Sequence, residues 1–220
     1  MLLLDTEIHQ AMAILEVAVK KWQAPAVTLV AQRQQNPFKV LISCILSLRT
    51  KDTVTGTASE RLFTLGDTPA KIAGLSLETI ENAIYPVGFY RVKAAQIAVI
   101  CRQLRDDYGG VVPDDMDELL RFKGVGRKTA NLVLTLGFGK MGICVDTHVH
   151  RICNRWGYLS TRNPKETEIV LRNKLPTEYW LIINDYLVTF GQNQCKPLSP
   201  YCSSCPLVHL CTRVGVIKHR

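Results

Sequence analysis

A lysine that follows two glycines, an aspartate eighteen residues further on and a closing group of four cysteines are the residues of this chain best able to do chemistry. The lysine lies in LLRFKGVGRKTANLVLTLG (residues 119–137), where a short apolar segment meets Gly124-Val125-Gly126 and a second apolar segment begins with Arg127 and Lys128. Cations at a helix start are disfavoured by the macrodipole, so their presence there suggests a use. An amine so placed can act as a nucleophile on an electrophilic carbon such as C1′ of a nucleotide, once it has lost its proton. The helix end and neighbouring Arg127 both disfavour the protonated form. The plainer alternative is a solvated lysine that binds phosphate. Asp146 opens ICVDTHVHRICNRWGY (residues 143–158), a position suited to capping a helix N-terminus. A carboxylate held rigidly there can also stabilise developing positive charge or assist proton transfer. Cys195, Cys202, Cys205 and Cys211 form C-x6-C-x2-C-x5-C. That spacing allows a [4Fe–4S] cluster or a tetrahedral zinc ion, with disulfides as a third option, and does not choose between the two metals.

The elements that position these residues read as helices. Apolar residues recur at helical spacing, as in Met12, Leu15, Val19 and Trp22, and strand signals are sparse. Turn chemistry at Asn36-Pro37, Gly66-Asp67-Thr68-Pro69, Tyr85-Pro86-Val87-Gly88, Gly109-Gly110 and Arg162-Asn163-Pro164 divides the chain into an all-α protein of about ten helices. Residues 119–137 read as a helix-hairpin-helix. Its glycines permit a tight turn and leave backbone amides uncovered for a phosphate, although the same sequence also suits an ordinary αα turn. Val145, Val149, Ile152 and Trp156 form a buried helical stripe, and His148, Arg151 and Arg155 lie on the opposite face, where DNA contact is expected.

With 220 residues and 47% hydrophobic composition, the chain is large enough for a packed core, which excludes a disordered or fibrous protein. The net charge of +8 favours a polyanionic partner. The short apolar run Leu2–Leu4 is interrupted by Asp5, so neither a signal peptide nor a membrane partner is expected. Cys44, Cys101, Cys144 and Cys153 stand singly in apolar runs and read as buried reduced thiols.

The ordered set GVGRKTA, VDTH and C-x6-C-x2-C-x5-C resembles the endonuclease III family, helix-hairpin-helix DNA glycosylases that also cleave abasic sites, and the similarity runs from LSLRTKD (residues 46–52) through Cys211. The resemblance implies two interlocked helical domains with the active site in the cleft between them. Residues 28–140 would form a six-helix barrel bearing the hairpin, and residues 1–27 with 141–220 an iron–sulfur domain. It implies Lys128 as nucleophile and Asp146 as catalytic carboxylate. The cofactor implied is a [4Fe–4S] cluster on Cys195, Cys202, Cys205 and Cys211. DNA contacts are implied at Arg49, Phe89, Gly124, Gly126, Arg127, His148, Arg151 and Lys196, on double-stranded DNA carrying damaged bases or abasic sites. Arg49 and Phe89 would fill the gap left by an extruded nucleotide. The family commonly has Gln where Arg49 stands and Pro where Lys123 stands, and the first cysteine loop, KPLSPY, holds one basic residue, Lys196.

The expected enzyme is a bifunctional glycosylase and lyase for damaged, oxidised pyrimidines, a monomer in the reducing cytoplasm or at the nucleoid. The alternatives are a monofunctional adenine or mismatch glycosylase of the same superfamily and a non-catalytic iron–sulfur DNA-binding protein. Lys128, retained with Asp146, counts against both.

Overall fold

The computed structural model describes residues 3–34 and 36–220. Among them are twelve α-helices, one π-helical and one 3₁₀ segment, and no strand. The chain is all-α, with two more helices than the turn signals suggest. The excess lies in short pieces such as Pro69–Ala73, which an N-capping Thr68 and a proline in its first turn suffice to start. No described helix is long and apolar enough to cross a membrane. The chain divides into two compact units, residues 26–141 and residues 1–25 with 142–220.

The first unit is built around one helix. Asn36 accepts hydrogen bonds from the amides of Phe38 and Lys39, and Pro37 occupies the first turn, so the helix Pro37–Ser47, here α3, starts sharply. Phe38 and every residue from Val40 to Leu46 are buried, as expected for a helix packed on all sides. Around it stand α2 (Ala26–Gln34), α4 (Asp52–Leu65), α7 (Tyr90–Asp107) and the hairpin's second helix. Within this core the Ser43 hydroxyl donates to that of Ser59 at 3.1 Å. The hairpin's second helix, read from the sequence as one element, is α9 (Arg127–Leu132) continued by a π-helical turn, Val133–Gly137. The Thr135 hydroxyl donates to the Asn131 carbonyl at 2.8 Å, competing with the regular helical amide bonds. Gly137 also packs so tightly on Pro37 that a Cβ would lie 3.0 Å from its Cα.

The second unit joins α1 (Ile8–Val19) to α10 (Thr147–Arg155), α11 (Pro164–Lys174) and α12 (Ile183–Asn193). Its core includes Ile8, Leu15, Val149, Ile152, Trp156 and Phe190, among them most of the stripe read from the sequence. Cysteines 44, 101, 144 and 153 are all buried.

Candidate active site and cysteine cavity

In the first unit the hairpin begins with α8 (Met116–Arg121), capped by Asp115, and turns at Phe122–Gly126. Phe122 and Val125 are buried beneath the turn, and the Val125 amide donates to the Phe122 carbonyl at 3.0 Å. The two glycines prove to have different jobs. Gly124 has φ +77°, which favours glycine, and a Cβ there would strike the Gln96 side chain at 2.4 Å. That amide in turn donates to the Lys123 carbonyl at 2.7 Å. Gly126 has φ −101° and nothing within 4 Å of a notional Cβ, so it is not needed for the turn. What it preserves is open space over the start of α9. Arg127 is exposed there and Lys128 half-buried. The charge of Lys128 reaches the thiol of Cys44 on α3, although burial dominates and pushes that thiol up to about 12.

Arg49 and Phe89 come together in the same unit. Both are exposed, both have positive φ (53° and 59°), and the Arg49 guanidinium lies 5.8 Å from the Phe89 ring centroid. Phe89 is 62% exposed and so is not part of the core. Gly88 makes the approach of the two loops feasible, since a Cβ there would lie 2.7 Å from the Arg49 carbonyl oxygen.

In the second unit Asp146 is buried at the start of α10, and its Oδ1 accepts from the amides of His148 at 2.7 Å and Val149 at 3.0 Å. The capping geometry expected from the sequence is present. The arginines expected to face DNA are engaged internally. Arg151 Nη2 donates to the carbonyls of Gly191 (3.2 Å) and Cys195 (2.8 Å) and lies 3.0 Å from His148 Nδ1. Arg155 donates to the carbonyls of Lys196 (2.7 Å) and Pro197 (2.6 Å) and to Cys195 Sγ at 3.4 Å. Its own carbonyl receives the Val214 amide, so one residue fastens both ends of the cysteine segment. Gly191 lets α12 approach α10; a Cβ there would lie 2.3 Å from His148 Nδ1. Lys196 lies over the Tyr201 ring, 5.1 Å from its centroid.

Cys195, Cys202, Cys205 and Cys211 line one cavity together with Trp156, Tyr201 and Val216. Burial raises the thiols of Cys202, Cys205 and Cys211, that of Cys205 to about 11, while Arg213 and Arg155 pull Cys202 the other way. Among the described residues no group of three or more His, Cys, Asp or Glu side chains is poised to hold a metal ion.

Residues 42–177 match the HhH-GPD superfamily of base excision DNA repair proteins. Endonuclease III of Thermotoga maritima is 48% identical over 179 residues, 81% of this chain and 84% of that protein. The chain belongs to the endonuclease III family. It is therefore a DNA glycosylase/lyase of base excision repair. Two solved structures are similar. One, of a non-covalent endonuclease III–DNA complex, has a TM-score of 0.85 at 37% identity and covers 96% of each chain. The other, of a trapped endonuclease III–DNA covalent intermediate with an estranged adenine, has a TM-score of 0.76 at 42% identity, covering 81% of this chain and 84% of that one.

Three further residues organise these sites without a motif to mark them, Lys93, Thr50 and Gly191, while Arg155, expected at DNA, serves as a clamp on the cysteine segment. For Lys93 a signal existed, because the periodicity of α7 puts it on the face of Ala94, Ile97 and Cys101. A lysine on an apolar face calls for a partner.

Proposed function

We propose that this enzyme excises damaged, oxidised pyrimidines from double-stranded DNA and then cuts the strand by β-elimination, with Lys128 as nucleophile. The observation that carries this reading is the half-buried Lys128 amine in the first turn of α9, beyond a glycine that leaves the approach open. The neutral amine attacks C1′, and the C1′–N bond breaks as the base departs with its electron pair and takes up a proton. The attached amine then gives up a proton and the C1′–O4′ bond opens, O4′ taking up a proton, which leaves C1′ doubly bonded to the lysine nitrogen. The resulting Schiff base acidifies C2′–H. Loss of that proton expels the 3′ phosphate. Asp146, fixed by two amides, supplies a negative charge for the cationic sugar and assists the proton transfers.

Exposed Arg127 and the open amides about Gly124 and Gly126 suit a DNA phosphate, a contact that holds without reading sequence. Arg49 and Phe89 suit the gap left when a nucleotide is turned out of the stack. His148 and Lys196 are proposed as further DNA contacts. Arg151, bonded to the Cys195 carbonyl and beside His148, is better read as holding His148 and the cysteine loop than as touching DNA. The four cysteines are read as the ligands of a [4Fe–4S] cluster, because four thiols lining one cavity match the donor set that such a cluster takes. When bound, the cluster would hold residues 195–211 in place and supply no hydrolytic chemistry.

Borohydride should trap a covalent adduct between the protein and a duplex containing one abasic site, and Lys128→Ala should abolish it. Absence of an adduct with the wild type overturns the lyase reading.

A further inference from the structure

Lys93 is 5% exposed, and its ammonium serves loops rather than another charge in the bonds that surround it. It donates to the carbonyls of Leu46 at 2.9 Å and Leu48 at 2.5 Å and to the Thr50 hydroxyl at 3.1 Å. The first two acceptors lie at the C-terminal end of α3, where carbonyls lack helical partners. The third makes this more than a helix cap. Thr50 follows Arg49, and its hydroxyl also accepts the amide of Gly88, which precedes Phe89, at 3.1 Å. One hydroxyl thus joins the two loops, and Lys93 holds it.

We propose that Lys93 is a positioning residue that sets the Arg49 and Phe89 loops in the single arrangement in which both side chains meet duplex DNA. The inference rests on the reading of those two residues as DNA contacts. Non-glycine residues with positive φ carry a cost and persist only where their surroundings over-determine them. Arg49 and Phe89 are two such residues, facing each other across loops fastened by Thr50. A glycine at the end of α3 would have capped the helix without burying a cation. Burial pushes Lys93 down to about 8.

The test compares wild type with Lys93→Met and, should that variant not fold, Lys93→Gln, which keeps a polar group and loses the ammonium. Amide hydrogen exchange on the free, full-length protein should be faster at Gly88 by about ten-fold, with the protection of α9 unchanged. Unchanged exchange at Gly88 overturns the proposal. Single-turnover cleavage of an abasic duplex then separates positioning from general damage. Lys93→Met should slow the wild type by about ten-fold and the Arg49→Ala/Phe89→Ala protein by less than about two-fold, as residues acting through one another are not additive. Equal losses in both backgrounds refute it. If the wild type cleaves no abasic duplex, the functional reading fails, and exchange at Gly88 still decides whether Lys93 holds the loops.

Discussion

Asp146 is assigned a structural and a chemical role, and two substitutions separate them. Both capping bonds fall on Oδ1, at 2.7 Å from the His148 amide and 3.0 Å from that of Val149, and the residue is only 8% exposed. Asp146→Ala removes the acceptor and should cost about 1–2 kcal/mol, the usual range for an N-cap. For a chain of this size that lowers the melting temperature by about 3–6 °C. Asp146→Asn keeps an oxygen in the same place and loses the charge, so the stability cost falls to the charge–dipole contribution of about 0.3–1 kcal/mol. The rate should not follow stability. Loss of the carboxylate charge should slow single-turnover strand cleavage by about 10²–10³-fold in both variants, the scale of a lost electrostatic or acid–base group. Thermal unfolding and single-turnover cleavage, measured in one buffer well below the melting range, provide both numbers. An Asn variant that retains cleavage within about three-fold of wild type would reduce Asp146 to a helix cap. An Ala variant as stable as wild type would show that the cap itself has been misjudged.

The two hairpin glycines should part company on substitution. Gly124→Ala must hold φ near +77° against the Gln96 side chain, so a loss of about 1–3 kcal/mol is expected by denaturant titration. Gly126→Ala meets nothing within 4 Å and should fold normally while weakening binding to abasic duplex. In the cysteine segment, the purified protein should be yellow-brown with about four iron and four sulfide per chain; colourless protein with one zinc would refute the cluster. Cys44, Cys101 and Cys153, each pushed up to about 12 by burial, should resist alkylation by iodoacetamide at pH 8 until the protein is unfolded.

Much of this protein was legible because its signals are local. A glycine turn followed by a lysine, an aspartate preceding an apolar stripe and cysteines separated by six, two and five residues each act within one or two helical turns, and propensity, capping and metal-ligand spacing operate at that range. The Asp146 cap and the gathering of the four cysteines followed directly. Decisions that depend on distant partners did not. The face carrying Arg151 and Arg155 looks polar along the helix, yet the Cys195 loop lies against it and takes up both guanidiniums, 44 and 40 residues away. The π-helical turn after α9 arises where Thr135 bonds backward and Gly137 meets Pro37, a contact between segments a hundred residues apart in sequence. Lys93 is the sharpest case. Periodicity marks it as a cation on an apolar face, but what it holds lies 43 to 47 residues earlier. The sequence by itself determined which residue types were available and the local turns that present Lys128 and Asp146. Which charges are spent on backbone carbonyls and which stay exposed was settled on folding, because burial and hydrogen-bond partners belong to segments that meet only then.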